Sequence, residues 1–146
     1  DAHHITAPSP GGIGAITCMR LALEEAGVEP DQVRHINAHG TSTPLNDMAE
    51  AFAMAEVFGP DGPLVTSTKG ITGHALGAAG AIEAVAVVLA MGSKLIPPTA
   101  GYATADPEMP PINLVAGSPA QWEPGISMSN SFGFGGHNGS LVIAPA

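Results

Sequence analysis

The chain has 146 residues, of which 45% are hydrophobic and only 12% charged, and it carries a formal net charge of −9. That length accommodates one domain with a real core. Its four cations, Arg20, Arg34, Lys69 and Lys94, exclude the clustered basic surface that nucleic acid or an anionic membrane requires.

A single cysteine, Cys18, excludes an internal disulfide and fits a reducing, cytoplasmic compartment. Much of the apolar content is alanine, which favours close backbone packing and a core that draws help from another chain or segment. The opening stretch "DAHHITAPSP" lacks the basic and apolar regions of a signal peptide. It also lacks an initiator Met, so it reads as a start inside a longer protein.

Gly12–Ala26 is the first predicted helix. Thr17, Arg20 and Glu24 form its polar stripe, and Gly27 is its stop. Val33–Asn37 reads as a short buried strand, and the loop "NAHGTSTP" (Asn37–Pro44) follows. Asp47 is expected to cap the next helix, with Glu50 in capping-box position. Ala51, Phe52, Ala55 and Phe58 are its expected apolar face, and "GPDG" (Gly59–Gly62) closes it. Leu64–Ser67 is a second strand and Thr68–Gly73 a loop.

An alanine-rich helix then runs to about Met91. Ala75–Gly92 contains 18 residues with Glu83 as the only charge. A mid-span carboxylate is costly in a bilayer, so this segment is read as a buried helix of a soluble protein. Ile96–Pro119 is proline-rich and reads as a long ordered loop with short strands around Leu114. Ile126–Ser131 and Gly139–Ile143 are the last strands, joined through "GFGG" (Gly133–Gly136). The pattern predicts an α/β fold with a mixed sheet.

Three loops each follow a predicted strand: "NAHGTSTP", "STKGITGH" (Ser67–His74) and "NSFGFGGHN" (Asn130–Asn138). Ligands of open α/β sheets gather outside the carboxyl ends of strands, so the three are expected to converge. His39 is either a histidine satisfied by backbone carbonyls or a proton donor at a strand end. Gly40 allows close ligand approach, and Thr41 and Thr43 offer hydroxyls to an amide-bearing ligand. His74, at or before a helix start, is either a cap or a neutral hydrogen-bond donor to an oxyanion. Glu83, alone in an apolar run, needs a partner; Lys69 or a monovalent cation would serve. The Gly133–Gly136 loop either exposes oxyanion donors or is a plain hairpin. Cys18, mid-helix among apolar neighbours, reads as a structural thiol. His35 and His39 are the strongest candidates for a metal, but HExxH and CxxC are both absent.

Taken in order, "NAHGTSTP", "TSTKGITGHALGAAGAIEAV" and "SNSFGFGGHNGSLV" resemble the β-ketoacyl-[acyl-carrier-protein] synthases, most of all the synthase II type of fatty-acid synthesis. These are condensing enzymes of the thiolase fold, and the opening residues resemble the family too. The resemblance implies that the chain, residues 1–146, is the C-terminal half of such an enzyme. It implies catalytic histidines at His39 and His74, an active-site lysine at Lys69 and its partner at Glu83. Thr41 and Thr43 would hold the phosphopantetheine arm, and Gly133 and Gly135 would flank the gatekeeper Phe134, whose N–H joins the oxyanion hole.

The family's reaction is decarboxylative condensation of malonyl-carrier protein with an enzyme-bound acyl group, so an acyl carrier protein and homodimerisation are implied. Its only cofactor is the carrier's phosphopantetheine, with a structural monovalent cation as an option. The family's nucleophilic cysteine belongs to the N-terminal half, and Cys18 does not match it. The basic carrier-docking surface belongs mainly to that half as well. The isolated chain is therefore expected to lack acyl transfer, and polyketide ketosynthases or a non-catalytic pairing fragment remain the alternatives.

Overall fold

A five-stranded mixed sheet organises the chain, its strands lying side by side in the order Asn113–Leu114, Leu64–Thr66, Val33–Asn37, Ile126–Gly133 and His137–Ile143. The computed structural model describes all residues, 1–146. The strands are β1 (Val33–Asn37), β2 (Leu64–Thr66), β4 (Asn113–Leu114), β6 (Ile126–Gly133) and β7 (His137–Ile143). The first four run parallel, and β7 returns antiparallel to β6. Two short strands, β3 (Leu95–Ile96) and β5 (Ala120–Gln121), pair separately. This is the expected α/β, mixed-sheet architecture.

On one face lie α1 (Ile13–Ala26) and α2 (Pro44–Phe58). Here Met19, Leu23, Ala53 and Met54 pack on Ile36, Val65 and Met128 to form the principal core. Gly27, left-handed at φ 64°, stops α1 as expected. The start of α2 differs from expectation. Pro44 opens the helix with Thr43 before it, because proline's fixed φ suits the first helical position. Asp47 therefore falls within the first turn, and its Oδ1 accepts from the N–H of Ser42 at 3.2 Å. The inward face is Glu50, Ala51, Ala53 and Met54, whereas Phe52 is exposed.

The other sheet face is covered by α4 (Ala79–Ser93), which turns Ala79, Glu83, Val87 and Ala90 inward. The expectation of a buried helix is corrected here. Leu76–Ser93 is apolar enough by length and composition to cross a membrane, yet only 22% of it is buried in this chain. Val85, Val88 and Leu89 form its exposed outer side. A one-turn helix, α3 (Lys69–Thr72), stands where a loop was expected.

Because β1, β2 and β6 are parallel, the loops that leave their carboxyl ends meet at one edge of the sheet. Two of the singled-out loops are these, after β1 and β2; the third, Asn130–Asn138, is shorter than expected, because β6 and β7 extend into it and leave only Phe134–Gly136 as the turn between them.

Candidate active site

His39 leaves the end of β1 and is almost fully buried. Its ring meets that of His74 edge-on, with centroids 5.4 Å apart, and that of Phe132 at 5.9 Å. Lys69 Nζ lies 3.3 Å from His39 Nδ1. An ammonium has only protons to give, so Nδ1 accepts and Nε2 carries the ring's hydrogen. Burial pulls His39 down to about 4, helped by the charge of Lys69 and by His74. The ring is therefore neutral at physiological pH, as a donor tautomer.

His74 reaches the same tautomer differently. It lies two residues before a short 3-10 turn (Leu76–Ala78) that runs directly into α4, so it stands just before a helical start, as expected. Leu76 adopts a left-handed φ of 51°, and its N–H donates to His74 Nδ1 at 3.2 Å. An accepting Nδ1 in a neutral ring again leaves Nε2–H as the donor.

Lys69 donates to Glu83 Oε1, and both side chains are almost fully buried. Burial pushes the Glu83 carboxyl up, against the pull of Lys69. The lysine that was one of two options for Glu83 is its partner. Thr41 and Thr43 share a hydrogen bond between their hydroxyls at 2.8 Å. Both line a cleft of about 750 Å³ together with His39, His74, Phe132, Gly133 and Phe134.

Phe134 lines the cleft but is 71% exposed, and Phe132 is the phenylalanine that touches His39. Gly135, expected to bind substrate, lies outside the cleft lining; its N–H is taken by the carbonyl of Ile5 at 2.7 Å. His35 does not join His39. It packs under α4 against Trp122, with centroids 5.5 Å apart. Cys18 sits against Ser140, its thiol donating to that hydroxyl at 3.5 Å.

The sequence reading missed Glu50. This carboxylate is 2% exposed. Its Oε1 accepts from the N–H of His39 and its Oε2 from that of Gly40, each at 2.8 Å. Burial raises it, opposed by those two amides and by Asn130. The available signal was the one that marked Glu83: a lone acid in an alanine-rich apolar run, here "MAEAFAMA" (Met48–Ala55).

The family described as beta-ketoacyl synthase, C-terminal domain, matches residues 1–103. This chain belongs to the β-ketoacyl synthase family. It is 46% identical over 145 residues to 3-oxoacyl-[acyl-carrier-protein] synthase 2 of Synechocystis, which covers 98% of this chain and 35% of that protein. A β-ketoacyl synthase from Burkholderia phymatum superposes at a TM-score of 0.95 with 36% identity, over 100% of this chain and 35% of that one. A type II polyketide acyl-carrier protein in complex with its ketosynthase, bound to the hexaketide, gives 0.94 with 33% identity, over 100% and 36%. The chain thus spans about a third of these relatives' length. The sheet with α1, α2 and α4 is the arrangement of the thiolase-fold ketosynthases.

Proposed function

We propose that this chain forms one wall of the condensation site of a β-ketoacyl-[acyl-carrier-protein] synthase in fatty-acid elongation. The carrying observation is the histidine pair: His39 and His74 line one cleft, and each has Nδ1 occupied so that Nε2–H is the donor. Two preorganised neutral donors suit an oxyanion that develops on a thioester.

In the proposed reaction, malonyl thioester lies in the cleft with its carbonyl oxygen between the two Nε2–H groups. The bond from the methylene carbon to the carboxylate breaks, carbon dioxide leaves, and the electron pair forms an enolate on that oxygen. The enolate carbon attacks the carbonyl of an acyl group held on a cysteine of the partner half. The new carbon–carbon bond forms as the carbonyl returns, and the thiolate departs. Lys69 holds the His39 tautomer, with Glu83 compensating its charge. Thr41 and Thr43 line the path of the pantetheine arm, with Gly133 beside Phe134 at the mouth; Gly135 acts through its tie to Ile5.

The reading includes an N-terminal half with the nucleophile, whose helices cover the exposed side of α4, and an acyl carrier protein. It also includes assembly as a dimer. The length of the relatives supports the missing half, and the polyketide carrier complex among the structural neighbours supports the carrier. A monovalent cation fits the donor set. Glu83 Oε2 and Asn37 Oδ1 are buried oxygens that accept no hydrogen bond; they would be its ligands, and its charge would add to that of Lys69 in offsetting the carboxylate. Malonyl-thioester decarboxylation by the assembled enzyme, compared with its His74→Ala variant, tests the reading.

A further inference from the structure

Behind Glu50 runs a line of polar side chains that the chemistry above does not use. Asn130 of β6 and Ser140 of β7 stand directly opposite in the antiparallel register, two positions beyond the core pair Met128 and Val142. Opposed side chains there have Cβ atoms about 4.5–5.5 Å apart, close enough for a hydroxyl to reach an amide. Asn130 is fully buried on the α1 and α2 side. An amide there is costly unless its groups are bonded.

The bonds define a direction. Ser140 Oγ–H donates to Asn130 Oδ1 at 2.8 Å. The other end of the amide faces acceptors only, its NH2 pointing to Glu50 Oε1 at 3.5 Å and to Met19 Sδ at 3.3 Å, and this sets which way the amide faces. Having given its one proton to Asn130, the Ser140 oxygen accepts from the Cys18 thiol at 3.5 Å. Every donor therefore runs the same way, from α1 through β7 and β6 to the carboxylate of Glu50. That carboxylate, which has no ion-pair partner, holds the backbone N–H groups of His39 and Gly40.

We propose that Ser140 and Asn130 are positioning residues for His39, acting through Glu50. The Ser140 hydroxyl satisfies the buried Asn130 oxygen and so anchors the amide with its NH2 on Glu50. Without that anchor the amide oxygen is left unpaired, the side chain shifts to find a partner, and Glu50 loses its brace on the His39–Gly40 backbone. Cys18 is the outer end of this line, where a weak thiol bond contributes little. The inference rests on the reading of His39 as an oxyanion donor.

The test uses the assembled enzyme, this chain together with the half that carries the nucleophile, and variants Ser140→Ala, Ser140→Thr and Cys18→Ala. Two quantities are read: hydrogen exchange of the His39 and Gly40 amides, and the kinetics of malonyl-thioester decarboxylation. Ser140→Ala is expected to speed exchange at those two amides by roughly tenfold relative to the amides of α2, and to lower kcat roughly fivefold with KM unchanged. Ser140→Thr restores both, and Cys18→Ala changes neither. Unchanged protection at His39 and Gly40 overturns the proposal. So does a loss spread evenly over all amides, or a local loss with unaltered kcat. If the exchange pattern appears but the unmodified enzyme does not decarboxylate, the hydrogen-bonded line stands and the assignment of function fails.

Discussion

Lys69 Nζ stands between two buried groups, donating to Glu83 and lying 3.3 Å from His39 Nδ1. One ammonium thereby sets the tautomer of a histidine and compensates a carboxylate.

Breaking this arrangement separates stability from chemistry. Lys69→Met leaves Glu83 buried without its partner and is expected to cost about 3–5 kcal/mol, because an uncompensated buried charge is strongly destabilising. The double variant Lys69→Met, Glu83→Leu removes both charges and recovers most of that loss. It does not recover decarboxylation, since His39 Nδ1 still lacks its donor. Urea unfolding and steady-state kinetics on the three proteins check both halves.

His35 offers a stability test away from the site. Its ring is buried against Trp122, and neither nitrogen has a partner. Burial lowers it from 6.5 to about 4. The unfolded chain therefore binds more protons than the folded one between those values, and stability falls as pH drops from about 6.5 to about 4. His39 adds a fall over the same window. Glu50 and Glu83, raised by burial, act in the opposite sense, so the informative quantity is a difference between proteins. His35→Phe is expected to stabilise by about 1 kcal/mol at neutral pH, since it removes unsatisfied buried nitrogens. Its advantage over the unmodified chain should widen toward pH 4. Thermal melts across that range measure it.

Gly40 joins two of the converging loops. Its carbonyl accepts from Ser67 Oγ at 3.0 Å. A Cβ added there would lie 2.5 Å from that oxygen, and φ is +41°. Gly40→Ala is expected to cost roughly 1–3 kcal/mol by overpacking. It should also displace His39, lowering decarboxylation more than Gly59→Ala, whose added Cβ meets nothing within 4 Å. Paired melting and activity measurements on the two variants check this.

The outer side of α4 carries a prediction about assembly. Val85, Val88 and Leu89 are exposed, and an apolar face of this kind marks an interaction surface. In the isolated chain, α4 amides are expected to exchange faster than those of α1, and addition of the N-terminal half should slow them. Val88→Asp should weaken that pairing without altering exchange in α1. Hydrogen exchange with and without the added half reads both effects.

Much of this site was legible in the sequence because its parts obey simple local rules. The short segment Val33–Asn37, set between the Pro30–Asp31 turn and the His39 loop, marked β1 with its observed bounds, and parallel strands bring their exit loops to one edge. Lone Glu83 demanded a partner, and Lys69 supplies it. Glu50 escaped because Asp47 and Glu50 also satisfy the capping-box spacing. Only the prior start of α2 at Pro44 frees Glu50 to turn inward. The two-residue strands β3 and β5 and the single turn of α3 are too short for any periodicity to develop. The amide of Gly135 is claimed by Ile5, more than a hundred residues away in sequence, a contact that no local pattern announces.

The central claim is that His39 and His74 together stabilise an enolate through their Nε2–H groups. Its most direct measurement is the decarboxylation rate of a malonyl thioester by the assembled enzyme and by His39→Ala and His74→Ala separately. Removing one oxyanion donor costs about 10²–10³ in kcat, and each variant is expected to lose activity on that order while remaining folded. A folded variant of either kind that decarboxylates at the unmodified rate would contradict the account.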